Sequence, residues 1–246
     1  MPVLEMRDVY KTFESHGRST AVLRGLSLAV AEGEFLAVMG PSGSGKSTML
    51  HLISGLDTPS TGQVFLGGVN LATLSAGART ENRRESIAHV FQFFNLLPNL
   101  TARENIALPL AIAGKKDGPD YEVVEKLMRR LRIFERAQNL PHQLSGGEMQ
   151  RTSIARALAG GQSFLLCDEP TGNLSQQAGL EVMQTLREVC DRDQRTVLLV
   201  THNPRDAAFA DRVVFLVDGR LAPDAELRGP NIPVEKIHET LSRLGI

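Results

Sequence analysis

A glycine-rich segment that ends in a lysine and a hydroxyl group is the first feature that could do chemistry. Residues 40–47 read GPSGSGKS, between an apolar run at 34–39 and a stretch with helical spacing, and they match the pattern GxxxxGK(S/T). Glycines let backbone N–H groups turn toward phosphate oxygens. Lys46 can reach β- and γ-phosphates, and the Ser47 hydroxyl can ligate Mg²⁺. The sequence therefore predicts a phosphate-binding loop between a strand and a helix.

Two carboxylates follow a second apolar run. Residues 164–169 read FLLCDE, which is typical of a buried strand whose end reaches the ligand-binding edge of an α/β sheet. Asp168 can hold the Mg²⁺ shell, usually through water. Glu169 can accept a proton from an attacking water and act as general base.

A serine and two glycines open a third element. Ser145, Gly146 and Gly147 precede a helix with apolar periodicity, so they present unpaired N–H groups at a helix start. The sequence predicts a second anion-binding cradle there.

The surrounding pattern indicates the elements that position these groups. Strand patterns at 2–7, 26–30, 62–68, 87–91, 164–167, 196–201 and 212–217 are separated by helical spacing at 48–54 and 178–189. Strands that alternate with helices predict a parallel sheet covered on both faces. The section at about 93–160 changes character, with helical spacing at 121–134, and is interpreted as a helical insertion.

The tail forms a separate small unit in this interpretation. Residues 223–246 comprise a polar, proline-containing linker, whose character begins at 221, and a helix at 234–244. The helix either docks on its own domain or serves a regulatory contact. Residues 1–222 are expected to form one domain.

Composition excludes several classes of protein. The 246 residues carry 27 basic and 28 acidic side chains, a net charge of −1, which argues against a nucleic-acid partner. Two cysteines without metal spacing favour a reducing compartment, and no apolar run approaches the ~18 residues of a membrane span. We expect a soluble, intracellular protein.

In combination, these motifs give a specific resemblance. The run LSGGE at 144–148, with the two elements above, resembles the nucleotide-binding subunit of an ABC transporter over residues 3–220. The resemblance implies an α/β fold, a P-loop NTPase of ABC ATPase type. Its parallel-sheet core would carry an N-terminal antiparallel β subdomain and the helical insertion. It implies ATP hydrolysis with Mg²⁺ by a homodimer paired head to tail at the cytoplasmic face of the membrane, where a separate integral membrane permease is energised.

Site residues follow from the resemblance. Catalytic roles are implied for Glu169, His202, which would contact the γ-phosphate, and Lys46; Mg²⁺ would meet Ser47, Gln92 and Asp168. Phe13 lies where the family stacks an aromatic ring on adenine, although Tyr10 is a rival and either could simply pack. The implied nucleotide-binding set is Phe13, Gly40, Pro41, Ser42, Gly43, Ser44, Gly45, Lys46, Ser47, Thr48, Gln92, Ser145, Gly146 and Gly147.

Longer stretches narrow the resemblance to one branch. GPSGSGKSTML, VFQFFNLLPNLTARENIALPL and DEPTGNL resemble lipoprotein-releasing, macrolide-exporter and cell-division ATPases. Residues 93–100 would then contact the membrane partner, or could equally belong to the core. Ser175 departs from the family, which places an aspartate there. The change implies a working ATPase with altered communication between its two ATP sites.

Other cassette proteins fit less well. DNA-repair and chromosome-organising ATPases usually carry a coiled coil or zinc modules between the two cradles, and translation-associated members hold two cassettes in one chain. Neither feature is found in this sequence. A regulatory ATP-dependent module of a cell-division or envelope complex, without solute transport, stays open.

Overall fold

The computed structural model describes residues 2–15, 18–115, 119–229 and 232–246. The strands are β1 (Pro2–Ser15), β2 (Arg18–Ala31), β3 (Phe35–Met39), β4 (Thr61–Leu66), β5 (Val69–Asn70), β6 (Ile87–Phe91), β7 (Phe164–Asp168), β8 (Thr196–Val200), β9 (Arg212–Val217), β10 (Arg220–Leu221) and β11 (Leu227–Arg228). The helices are α1 (Lys46–Ile53), α2 (Ala76–Ser86), α3 (Ala102–Ile112), α4 (Pro119–Arg130), α5 (Gly146–Ala159), α6 (Gln176–Asp193), α7 (Pro204–Ala207) and α8 (Val234–Leu244).

The central sheet has the strand order β10-β9-β3-β8-β7-β6. Its strands from β9 to β6 run parallel, and β10 and β11 pair antiparallel with β9. Every residue of β3 and β8 is buried, as expected for strands covered on both faces. The predicted parallel-sheet core is confirmed. The carboxyl ends of β6, β7 and β8 lie side by side, since Asp168 pairs with both Phe91 and Val200.

A second, antiparallel sheet has the order β2-β1-β4-β5 and matches the N-terminal β subdomain that the resemblance implies. Successive side chains of β3 point to opposite faces of the sheet and so contribute to two separate hydrophobic clusters. Leu36 and Val38 pack with the side chains of this second sheet and α1. Phe35, Ala37 and Met39 point into the larger cluster formed by the helices on the opposite face.

The chain between β6 and β7 is helical, and α3, α4 and α5 pack on one another. Helix α4 ends earlier than the predicted 121–134, because Arg132 adopts a left-handed conformation (φ 55°). The Ile133 N–H then bonds back to the Met128 carbonyl at 2.9 Å, as in a Schellman motif. No helix within the described residues is both long and apolar enough to cross a membrane.

The tail is more structured than its composition predicts. Strand β11 pairs with the central sheet, with Leu227 opposite Val213, and Ala225, Leu227 and Ile232 are buried in the larger cluster. Residues 230 and 231 of the predicted linker lie outside the described residues. Helix α8 buries Ile237 in the same cluster and contacts α7, so it docks on its own chain. A few apolar side chains between prolines are enough to hold this segment, and they leave no periodic signal.

Candidate functional site

The phosphate-binding loop connects β3 to α1, and glycines are required at both of its ends. A Cβ atom at Gly40 would lie 2.1 Å from the backbone oxygen of Leu216, so no larger residue fits. Gly45 forms the N-cap of α1 at φ 106°, where a Cβ would also meet the Leu23 side chain at 2.8 Å. Close backbone approach and a left-handed conformation therefore account for both residues.

The middle of the loop is open. Pro41, Ser42 and Gly43 are exposed, and nothing lies within 4 Å of a Cβ built on Gly43. Ser44 is buried, and its hydroxyl has no hydrogen-bond partner among the described residues. The loop lies at the N-terminus of α1, where unpaired N–H groups and the helix dipole favour an anion. An orphaned donor in such a loop fits the phosphate ligand that the sequence predicts.

Lys46 folds back over this loop. Its Nζ atom donates to the carbonyl oxygens of Gly40 at 2.7 Å and Pro41 at 2.8 Å. Burial lowers the pKa of Lys46, while the negative charges of Glu169 and Asp168 act to raise it. Ser47 is exposed and Thr48 half-buried on the first turn of α1. The ammonium group of Lys46 therefore lies at the loop and can turn toward a phosphate.

The two carboxylates lie at the end of β7. Glu169 takes a left-handed conformation (φ 44°), and its N–H donates to the Val200 carbonyl at 2.9 Å. Burial and the neighbouring Glu169 charge raise the pKa of Asp168, against the opposing pull of His51 and Lys46. A half-buried carboxylate beside a second one favours a cation. The predicted donors of Asp168, Ser47 and Gln92 are oxygen atoms, which suit Mg²⁺.

His202 follows β8 and reaches the general-base candidate. Its Nδ1 atom lies 2.9 Å from Oε1 of Glu169, a distance at which an Nδ1–H donates to the carboxylate. The His202 side chain is 67% exposed and that of Glu169 is 23% exposed. The imidazole therefore stands above the sheet edge, with the carboxylate behind it.

Gln92 follows β6 and lies against the segment after Glu169. The backbone carbonyl oxygen of Gln92 accepts a hydrogen bond from Nδ2 of Asn173 at 3.0 Å. A Cβ built on Gly172 would lie 2.7 Å from the side-chain Nε2 atom of Gln92. The structure thus brings Lys46, Asp168, Glu169, His202 and Gln92 to the carboxyl edge of the central sheet.

The second cradle lies on a different part of the molecule. Ser145 is the exposed N-cap of α5, which packs against α3, α4, α6 and β6, whereas α1 packs against β2 and β4. A capping box holds the helix start: Oγ of Ser145 accepts from the Glu148 N–H at 3.3 Å and donates to the Glu148 carboxylate at 2.9 Å. Burial raises the pKa of Glu148, but hydrogen bonds from Arg136 and Ser145 outweigh it and hold the pKa at about 2.

The glycines after Ser145 are tightly packed. A Cβ at Gly147 would lie 3.2 Å from the Ala178 Cβ, and one at Gly146 would lie 3.3 Å from Cδ2 of Leu174. Among the described residues, none of the element contacts given above joins this cradle to residues 40–48.

Phe13 and Tyr10 are both exposed, so neither is a core residue. The Lys11 ammonium lies 4.8 Å from the centre of the Phe13 ring. Tyr10 instead lines a cleft with Arg24 and Arg220. Stacking of adenine on Phe13 stays a prediction.

Two positioning residues on α5 escaped the sequence analysis. The Nε2 atom of Gln150, fully buried, donates to the Pro170 carbonyl at 2.7 Å and to the Phe91 carbonyl at 3.3 Å. Arg156 donates to the carbonyl oxygens of Phe94 and Asn95. The available signal was a pair of long polar side chains on a helix that also buries Ile154, Ala155 and Leu158.

The segment at 93–100 is held in shape but partly exposed. The buried amide of Asn105 bonds to the N–H and carbonyl of Leu97 and to the Leu100 carbonyl. Phe93 is 73% exposed, and Phe94 approaches the position of a Gly146 Cβ at 3.9 Å. This segment therefore presents the large aromatic side chain of Phe93 outward, next to Gln92.

Comparisons with known proteins agree with this geometry. A family model described as ABC transporter matches residues 23–172. The lipoprotein-releasing system ATP-binding protein LolD of Anaeromyxobacter dehalogenans is 45% identical over 228 residues, which cover 92% of this chain and 95% of that protein. The macrolide export ATP-binding/permease protein MacB of Marinobacter nauticus is 39% identical over 239 residues, covering 97% of this chain. This chain spans 36% of that MacB protein.

A solved structure shares the fold. It is the dimeric post-hydrolysis state of the ATP-binding cassette MJ0796 bound to ADP and Pi. The two chains superpose with a TM-score of 0.81 at 37% sequence identity, covering 92% of this chain and 98% of the other.

Proposed function

Since this chain belongs to the ABC transporter family, we propose that it binds ATP with Mg²⁺ and hydrolyses it to energise a membrane permease. One observation supports this proposal most strongly. Four side chains lie at one edge of the central sheet, beside the open loop: Lys46, Asp168, Glu169 and His202. That edge is where open α/β sheets bind nucleotides. ATPases that transfer phosphoryl groups need this combination of positioning and charge stabilisation.

The phosphates would lie in the loop of residues 40–48. Loop N–H groups donate to phosphate oxygens, and Lys46 exchanges the Gly40 and Pro41 carbonyls for a phosphate oxygen. Ser47, Asp168 and Gln92 would hold Mg²⁺, which neutralises charge on the phosphates when bound. Phe13, exposed on β1, would stack on the base.

Glu169 accepts the proton of the attacking water in this proposal. Its partner His202, 2.9 Å away, would orient the carboxylate and contact the γ-phosphate. The Glu169 side chain is 23% exposed and that of His202 is 67% exposed, so the carboxylate is the more enclosed member of the pair. This arrangement favours ATP turnover, which a regulatory ATP-dependent module of a cell-division or envelope complex could use as well.

The working form would be a homodimer with head-to-tail pairing. The cradle of Ser145, Gly146 and Gly147 is carried by α5, apart from the loop that precedes α1, so one ATP can use both only across two chains. MJ0796 forms dimers in two solved structures that share this fold. The γ-phosphate would join the chains, and hydrolysis would release them.

The permease would be an integral membrane protein on a separate chain, approached from the cytoplasmic face. LolD of Geobacter metallireducens supports this arrangement, because this chain spans 99% of that ATP-binding protein. The exposed Phe93 and the segment at 93–100 would form part of the contact. Residues 93–160 would act as a helical subdomain of the ATPase domain at 1–222, with 223–246 as its C-terminal extension.

The general-base assignment is tested with Glu169→Gln. We expect ATP hydrolysis to fall by about 100-fold or more, with ATP binding retained, because the amide keeps the side-chain shape but accepts no proton. Phosphate release gives the rate, and equilibrium titration with a fluorescent ATP analogue gives the affinity. An undiminished rate in the variant would refute the role of Glu169.

A further inference from the structure

A buried carboxylate lies behind the Glu169–His202 pair, outside the set of site residues named so far. Asp206, on α7, is 5% exposed. Its Oδ2 atom accepts a hydrogen bond from the hydroxyl of Thr171, two residues beyond Glu169. The Thr171 hydroxyl is thereby tied to the loop that carries His202.

The same residue belongs to the turn that carries His202. The Asp206 N–H donates to the Asn203 carbonyl at 3.1 Å, and the Asn203 N–H donates to Oγ1 of Thr201 at 3.0 Å. Thr201 and Asn203 flank His202, so residues 201–206 form a hydrogen-bonded turn that ends at Asp206.

Packing fixes Thr171 from a further direction. A Cβ built on Gly179 of α6 would lie 3.4 Å from the Thr171 Cβ, so the two backbones approach closely. Burial raises the pKa of Asp206, although its hydrogen bonds oppose the shift. Burying a charged carboxylate costs free energy unless hydrogen-bond donors compensate for the lost water.

We propose that Asp206 is a positioning residue for ATP hydrolysis, which fixes the distance between Glu169 and His202 by binding the segment after one and the turn around the other. This inference rests on the proposed roles of Glu169 and His202. Asp206 touches neither substrate nor metal in this proposal. It acts by limiting how far two loops on neighbouring strands, β7 and β8, can move apart.

The test compares kcat and KM for ATP in Asp206→Asn, Thr171→Val and the double variant. Asparagine is neutral and offers one oxygen acceptor where the carboxylate offers two, so the Thr171 hydroxyl loses its charged acceptor. We expect kcat to fall about tenfold, with KM changed less than about twofold, since the phosphate loop is untouched. Thr171→Ser keeps the hydroxyl and should restore kcat.

Non-additivity distinguishes the shared hydrogen bond from general loosening. The double variant should be no slower than the slower single variant, because both remove the same contact. Glu34→Gln is the matched control: this half-buried carboxylate binds Arg212 and the Ala31 N–H at the opposite end of β3. It should lower the thermal unfolding midpoint and leave kcat unchanged.

Two results would overturn the inference. One is an unchanged kcat in Asp206→Asn; the other is a kcat loss in Glu34→Gln that matches that of Asp206→Asn. Failure of the proposed function shows separately, since Glu169→Gln would then hydrolyse ATP at the wild-type rate. If Glu169→Gln is inactive, the Asp206 variants alone decide this inference.

Discussion

At the scale of single residues, hydrogen bonds within the chain hold the backbone of the phosphate loop. The carbonyls of Gly40 and Pro41 are occupied by Lys46, and the Gly219 N–H donates to the Ser44 carbonyl at 3.1 Å. These contacts restrict the loop backbone, and a restricted backbone has less freedom to lose when a ligand binds. Steric limits within the chain, as well as phosphate binding, therefore restrict which residue types fit in the loop.

Gly40→Ala tests that steric limit. A methyl group 2.1 Å from the Leu216 carbonyl must displace β3 or β9, so we expect the free energy of unfolding to fall by about 2 kcal/mol and ATP affinity to fall with it. Denaturant unfolding followed by circular dichroism gives the stability. Gly77→Ala on α2, where a Cβ meets nothing within 4 Å, is the control and should be neutral or slightly stabilising. Equal stability of Gly40→Ala and wild type would contradict this account.

Ser175 shows how a departure from the family can be absorbed locally. It is the N-cap of α6, and its hydroxyl accepts from the Ala178 N–H at 3.4 Å. Aspartate and serine are comparable N-caps, so the helix start is kept and only the charge is lost. The substitution therefore needs no change in the start of α6.

At the scale of elements, α5 combines two tasks. Its N-terminus carries the Ser145 cradle, and its buried face holds the ends of neighbouring segments through Gln150 and Arg156. A movement of this helix would therefore change its hydrogen bonds to Phe91, Pro170 and the turn at 94–95. The helix that begins after Ser145 therefore also hydrogen-bonds to the turn that follows Phe93.

The two capping boxes of α3 and α5 offer a matched pair of variants. Thr101 with Glu104 and Ser145 with Glu148 make the same reciprocal bonds, so Thr101→Ala and Ser145→Ala should each cost about 1 kcal/mol in unfolding free energy. Only Ser145→Ala removes a proposed phosphate donor, and only it should slow ATP hydrolysis. Equal rates for the two variants, measured with urea unfolding as the stability reference, would count against the second cradle.

At the scale of the whole molecule, sequence reasoning succeeded where spacing is local. The strand at 87–91 and the helix at 234–244 were predicted at the bounds that the structure shows, because short apolar patterns and a preceding proline define them. The predicted ABC-type fold is confirmed by the family match and by the shared fold of MJ0796.

Contacts between distant segments could not be predicted in this way. Asp206 bonds to Thr171 across 35 positions, and β11 joins the central sheet with only two residues. Nothing in the local sequence marks either one. The assignment of individual site residues likewise stays a prediction that rests on motif spacing and on the geometry at the sheet edge.

The central claim is that ATP is bound between two copies of this chain. The most direct measurement is the mass of Glu169→Gln in solution by light scattering, with and without Mg²⁺ and ATP. We predict a monomer of 26.8 kDa without nucleotide and a dimer when ATP is bound and cannot be hydrolysed. Adding Ser145→Ala to this variant should weaken the dimer. A mass that stays monomeric at saturating ATP, or a dimer that forms equally without nucleotide, would contradict the account.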